Sequence, residues 1–248
     1  MTEKSIPGII TVRTSSTRLP NKCLMPFGET NVIEHIIKRA QFYNIEPIIC
    51  TSKDESDNIL EEIALKYNIK YFRGSLENKL KRWLDCASFF NLDYFHTVDA
   101  DDPFFDGSLM HLSVKKLLEN GFDIVTPTKS SSAGSASVGY SLTTNIIKKA
   151  LVDIPENTDT EMMWYYIDKV KDLKKYTLVD EEEVIDIGIR LTLDYQEDYW
   201  LLASLQRILG NLAERNKIND FFKKNPDFTL INSFRNQEWK SAQESKKV

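Results

Sequence analysis

Four short apolar runs, each followed by a stretch with helical spacing, restrict this chain more than any other feature. "PGIITV", "EPIICTS", "IKYFRGS" and "LDYFHTVD" start at residues 7, 46, 69 and 92. Between them, "NVIEHIIKRAQFYN" carries Val32, Ile33, Ile36, Ile37 and Ala40 at the spacing of one helix face. "DESDNILEEIALKYN" opens with an Asp/Ser cap and an acidic first turn, which suits a helix N-terminus. "ENKLKRWLDCASFFN" sets Leu80, Trp83, Leu84 and Ala87 on one side. Strand–helix units repeated in this way predict an α/β fold, a Rossmann-like, mostly parallel sheet flanked by helices on both faces.

The second half is looser. "GSLMHLSVKKLLENG" reads as a helix with a glycine stop, "FDIVTPT" as a strand and "KSSSAGSASVG" as a small-residue loop. Helices are expected in "YSLTTNIIKKALVD" and "DTEMMWYYIDKVK", a late strand in "DIGIRLTLD", and one long final helix in "YQEDYWLLASLQRILGNLAERN". "DEEEV" reads as a solvated turn. The expected organisation is a single α/β domain over residues 1–224 and a polar, peripheral C-terminal tail over 225–248.

Composition narrows the function. Lys+Arg 32 against Asp+Glu 37 leaves a net charge of -5, which argues against a general nucleic-acid binder but not against a local basic pocket. Cys23, Cys50 and Cys86 form no CxxC pair, so they read as free thiols of a reducing compartment. The N-terminal "MTEKSIPGII" lacks the apolar core of a signal peptide, and no window approaches a membrane span. A cytoplasmic protein without membrane partners is expected.

In open α/β sheets, ligands bind outside the carboxyl ends of the strands. The first such loop, "TVRTSSTRLPNKCL", holds Arg13, Arg18 and Lys22 among four hydroxyl residues, with no glycine and no P-loop spacing. Its cations either pair with surface acids or grip a polyphosphate through side chains, Arg as a planar fork and Lys as a point charge. The fourth loop, "VDADDP", supplies Asp99, Asp101 and Asp102, of which Asp102, before a proline, also suits a turn-shaping role. Asp194 ends the run "IRLTLD", with Asp198 one turn later. Carboxylates from two strand ends suit Mg²⁺, which takes one or two of them plus phosphate oxygens. Asp198 also suits a helix N-terminal acid. His35, His96 and His111 sit in no catalytic pattern, and no nucleophile–base pair is apparent. In-line attack on phosphorus, stabilised by metal and cations, needs neither.

These residues resemble the cytidylyltransferases that activate acidic sugars, a family that includes the CMP-Kdo and CMP-sialic acid synthetases and the SpsF-like spore-coat polysaccharide enzymes. "RTSSTRLPNK" matches the family's opening through Arg13, Ser16, Arg18 and Lys22. "YFRGSLENKLKRW" is similar to its SpsF-like third-strand segment at Arg73, Gly74, Ser75 and Arg82. "DADDPFFD" resembles its Asp-x-Pro-x-x-Asp at Asp101, Pro103 and Asp106, and "RLTLDYQEDYWLL" its late motif at Asp194, Glu197 and Asp198. The resemblance implies a fold of the nucleotide-diphospho-sugar transferase type and a CTP-dependent enzyme for surface polysaccharide biosynthesis. It implies catalytic Arg13, Lys22 and Asp101, and a nucleotide site of Arg13, Ser16, Arg18, Lys22, Arg73, Gly74, Ser75 and Arg82. Mg²⁺ would rest on Asp101 and Asp194, and a small acidic-sugar acceptor on Asp106, Tyr140 and Glu161. A homodimer is also implied, with about residues 135–185 as its contact and acceptor segment. The chain departs from the pattern at "SVGYSL" and at "EMMWYY", where Glu161 lacks the usual His neighbour. A metal-dependent glycosyltransferase using a sugar nucleotide, and a nucleotide-binding protein without turnover, are the competing readings.

Overall fold

The computed structural model describes residues 5–128, 138–179 and 189–244. Seven strands form the sheet: β1 (Ile6–Thr11), β4 (Ile45–Ser52), β5 (Lys70–Gly74), β6 (Tyr94–Asp99), β7 (Ile124–Thr126), β8 (Ser141–Thr143) and β9 (Lys175–Thr177). A separate hairpin joins β2 (Pro26–Phe27) to β3 (Thr30–Asn31). The sheet order is β5-β4-β1-β6-β8-β7-β9, parallel except that β8 runs antiparallel to both its neighbours. The expected mostly parallel sheet is therefore present.

Alternation along the strands sends residues to two cores. Ile10 and Ile49 face one, with helices α1 (Val32–Phe42), α2 (Asn58–Lys66) and α4 (Gly107–Asn120); Ile9 and Ile48 face the other, with α3 (Lys79–Phe89) and α5 (Thr144–Ala150). The first three of these helices in chain order, α1 to α3, are followed by an asparagine with left-handed backbone: Asn44 (φ 54), Asn68 (φ 51) and Asn91 (φ 54). Asn tolerates that region and lets the chain turn at once into the next strand. Gly121 does the same after α4. Among the described residues no helix is long and apolar enough to cross a membrane.

The second half departs from the sequence expectation. The lead-in to α5 is the antiparallel strand β8, and β9 lies in a stretch with no clear period. The helix expected in "DTEMMWYYIDKVK" shrinks to α6 (Met163–Ile167). The long final helix is two: α7 (Gln196–Leu209) stops at Gly210, with φ 88, and α8 (Arg215–Lys224) follows. Residues 189–194 form no strand; instead Leu193 N–H donates to Asp101 O at 2.7 Å, which ties this run to the acidic loop. A 3-10 stretch (Pro226–Ile231) and α9 (Arg235–Glu244) follow α8. The small-residue loop up to residue 137 and the acidic turn at 180–184 lie outside the described residues.

One buried carboxylate fastens the first loop to the sheet. Asp57, 1% exposed, accepts from Thr14 N–H (2.8 Å), Thr14 Oγ1 (2.9 Å), Thr51 Oγ1 (2.9 Å), Ser52 N–H (3.3 Å) and Ser52 Oγ (2.5 Å). Burial pushes its pKa up, but the hydrogen bonds from Ser52, Thr14 and Thr51 outweigh it and hold the group below the usual carboxylate range. Stability from a depressed carboxylate is complete above its unfolded pKa of about 3.9 and is lost as pH falls through the folded value. Asp57→Asn is expected to cost about 2–3 kcal/mol at neutral pH in urea unfolding, with a gap that narrows below about pH 3.9. A gap unchanged at acid pH would show that the charge contributes nothing.

Gly139 is a second fixed point. Its φ is 73, and a Cβ there would lie 2.2 Å from Thr97 O. The chain is clamped on either side by His96 Nε2 against Val138 O and by Tyr140 N–H on Thr97 Oγ1 (2.9 Å). Gly139→Ala is expected to lower stability by at least ~2 kcal/mol, measured by the same unfolding.

Candidate active site

The loop after β1 hangs on Thr14. Thr14 O accepts from Ser16 N–H (2.8 Å) and Asn21 N–H (3.3 Å), while its own N–H and hydroxyl go to Asp57. Asn21, with φ 55, then starts the 3-10 turn Lys22–Leu24. From this frame the loop reaches the ends of four other segments. Thr14 meets Asp57 beyond β4, and Arg13 Nη1 donates to Leu76 O beyond β5 at 2.8 Å. Lys22 Nζ lies 2.9 Å from Asp101 Oδ2 beyond β6. Arg18 Nη2 and Lys22 Nζ lie 2.5 and 3.1 Å from Asp194 Oδ1. Loops far apart in sequence therefore share one crevice.

Asp194 is held from several sides. Oδ1 accepts from Arg18 and Lys22, Oδ2 accepts from Arg190 Nη2 at 3.2 Å, and the backbone N–H donates to Asp198 Oδ2 at 2.9 Å. Burial pushes its pKa up, yet Lys22 and Arg18 hold it down to about 2. Lys22 shows the mirror image: burial lowers its pKa, and Asp101 and Asp194 together raise it above the usual lysine range. Nζ also donates to Leu193 O at 2.7 Å. Asp198 carries the helix-cap role, accepting from Tyr195 N–H at 2.9 Å, and pairs with Arg190 as well.

Asp101 and Asp194 fit a divalent cation in one respect that the structure displays. A carboxylate oxygen of each, and a carbonyl oxygen, already converge within about 3 Å of a single positive atom, Lys22 Nζ. Among the described residues no group of three or more His, Cys, Asp or Glu is placed to hold a metal. Two carboxylates, with phosphate and water, are what Mg²⁺ ordinarily takes.

A second charged group flanks Arg13. Glu161 lies 3.8 Å from Arg13 Nη2 and 3.4 Å from Lys79 Nζ, and Lys79 rests 5.0 Å from the Trp83 ring. Asp99 stands close to Lys79, Asp101 and Glu161. Burial pushes its carboxyl up to about 6, Lys79 pulling it down and Asp101 and Glu161 pushing it further up. Burial, then Asp99, raises Tyr140 to about 12. Lys79 carried no signal in the sequence beyond its place near a helix N-terminus.

Other sequence candidates have structural tasks. Arg82 is 1% exposed and braces the third-strand loop through Ser75 O and Leu76 O, with burial lowering its pKa. Gly74 makes room for it, since a Cβ there would sit 2.9 Å from Arg82 Cγ. Ser75 Oγ accepts from Asn78 N–H, and Arg73 spans Ser52 O, Asp54 O, Asn58 and Glu61. Asp106 caps α4 through Leu109 N–H and pairs with Arg215 at 3.2 Å, apart from the Lys22 cluster. Ser16 is half-buried in the loop. The three histidines bond to Pro103 O, to Val138 O with Ser141, and to Tyr43 O, and the cysteines are buried free thiols. Arg190, Asp57 and Asn232 went unassigned in the sequence, because their importance lies in contacts between distant segments.

Comparison with known proteins identifies the family. A family model described as Cytidylyltransferase matches residues 8–151. A protein of Methanocaldococcus jannaschii described as uncharacterized is 31% identical over 92% of this chain and 94% of its own length. The spore coat polysaccharide biosynthesis protein SpsF of Bacillus subtilis is 27% identical over 88% of this chain and 94% of its own. The solved structure of a cytidylyltransferase from Leptospira borgpetersenii superposes with a TM-score of 0.79 at 25% identity, covering 91% of this chain and 96% of that one. With a family model matched over residues 8–151 and a sheet shared with that solved enzyme, this chain is a nucleotidyltransferase of the cytidylyltransferase family.

Proposed function

We propose that the protein transfers CMP from CTP to an acidic sugar of the 2-keto-3-deoxy type, or a related acceptor, in surface polysaccharide biosynthesis. The observation that carries this reading is the convergence of Lys22 on Asp101 and Asp194 and of Arg18 on Asp194, in the loop that also carries Arg13. A triphosphate is the ligand that would use all three cations together. Arg13, Ser16, Arg18 and Lys22 are read as its cradle, with Arg73, Gly74 and Ser75 near the base and Arg82 bracing them from below.

In the reaction, a hydroxyl oxygen of the acceptor forms a bond to the α-phosphorus. The bond from that phosphorus to the bridging oxygen breaks, pyrophosphate leaves, and the hydroxyl proton passes to solvent or a nearby carboxylate. Arg13, Arg18 and Lys22 offset the charge that gathers on the departing pyrophosphate. Asp101 and Asp194 are read as the holders of Mg²⁺, which when bound supplies further positive charge against the phosphate oxygens. Tyr140, near Asp99, and Glu161, beside Arg13, are read as the acceptor side. Asp106 belongs to that proposal only through resemblance, because its carboxylate is committed to Leu109 and Arg215. A cytoplasmic homodimer with its contact at about residues 135–185 completes the reading, and light scattering checks its oligomeric part.

Pyrophosphate release from CTP, UTP, ATP and GTP, with Mg²⁺ and a panel of sugar acids and neutral sugars, is expected to occur with CTP and one acidic acceptor. Release only with a neutral acceptor, or only with another nucleotide, would replace that part of the reading. Lys22→Ala and Asp101→Asn are each expected to lower turnover at least ~100-fold, and near-normal rates in either would sink the assigned roles.

A further inference from the structure

Asp194 lies in a chain of contacts that ends in the polar C-terminal segment. Arg190 is fully buried; its Nε lies 2.9 Å from Asp198 Oδ1, and its Nη2 lies 3.1 Å from Asp198 Oδ2 and 3.2 Å from Asp194 Oδ2. Nη1 has no hydrogen-bond partner among the described residues, and the guanidinium instead stands 5.5 Å from the rings of Tyr195 and Trp239. Asn232 is likewise fully buried, and its Nδ2 donates to Arg190 O and to Asp198 Oδ1, both at 2.9 Å. Residue 232 lies beyond the 8–151 span of the family match and in the segment whose composition suggested a peripheral tail.

We infer that Arg190 and Asn232 are positioning residues for Asp194, so that the segment after α8 is part of the active site without touching substrate. Asn232 fixes both the backbone of Arg190 and the carboxylate of Asp198. Arg190, so held, presents one nitrogen to Asp194 Oδ2, and Asp198 takes the N–H of the same residue. Asp194 is thereby set from behind, and its other oxygen orders Arg18 and Lys22 in front. Without the Asn232 amide, Asp198 and Arg190 each lose a hydrogen bond inside a buried network, where such losses propagate. The consequence reaches a loop that Asn232 does not contact. The effect on nucleotide binding rests on the function proposed above, whereas the effect on the loop does not.

The test uses the full chain carrying Asn232→Ala or Asn232→Asp, the latter setting a carboxylate beside Asp198. Two controls accompany them: Glu238→Gln, at an exposed position of the same segment, and Phe222→Leu, in the apolar core beside it. Hydrogen exchange of the backbone over residues 14–24 and calorimetric titration with CTP are read at a temperature where every variant is folded. Both Asn232 variants are expected to speed exchange in that loop and to weaken CTP binding at least fivefold. Neither control should do so, although Phe222→Leu lowers the melting temperature. Unchanged loop exchange in Asn232→Ala, or equal acceleration in Phe222→Leu, would overturn the inference. If the parent protein does not bind CTP while Asn232→Ala still loosens the loop, the positioning stands and the nucleotide assignment falls.

Discussion

The ammonium of Lys22, held between Asp101 and Asp194, is the interaction on which the site depends. Three cations (Arg18, Lys22, Arg190) and three carboxylates (Asp101, Asp194, Asp198) share the cluster, so their formal charges balance. Buried ions are tolerated when each is paired and hydrogen-bonded, and removing one member leaves another stranded. That interdependence leaves the cluster poised: on the proposed function, an incoming polyanion would offer Lys22 and Arg18 an alternative partner of higher charge. The same balance explains why Asp194 stays ionised despite its burial.

The fold positions much of this cluster at strand ends. β1 delivers the loop, β4 and β5 supply Asp57 and the Leu76 carbonyl, and β6 carries Asp99 and Asp101. Asp194 comes from an irregular run held against the acidic loop by its neighbour Leu193. Strand β8 contributes differently. Lying antiparallel beside β6, it fixes the approach of Val138 to Tyr140 alongside Thr97, and so sets Tyr140 near Asp99.

Much of this was legible in the sequence because strand–helix alternation repeats over long segments with strong periodicity. Arg13, Arg18, Lys22, Asp101 and Asp194 stood out because charged side chains at the ends of apolar runs have few structural uses. The three-residue strands β8 and β9 are too short to show alternation, and the run at 189–194 looks like a strand because it must be apolar to be buried. Arg82 matched a nucleotide-binding position yet is interior, since a guanidinium serves equally well to tie down carbonyls. Asp57 resembled an ordinary helix-start acid, and Asn232 an ordinary tail residue. Only the tertiary contacts separate such residues from their many inert counterparts.

The distances in sequence across the cluster also govern when it can form. Arg18 and Asp194 are 176 residues apart, and Lys22 and Asp194 172 apart, while the β1–β4 and β4–β5 pairings join near neighbours. Contacts of high sequence separation close late, because the chain entropy they consume must be offset by structure already in place. If Asn232 positions Asp194 as inferred above, the sheet can assemble during synthesis while the charged crevice waits for residue 232 to join the network. On that reading, a chain truncated before residue 232 would keep most of its sheet and lack the last support of its charged mouth.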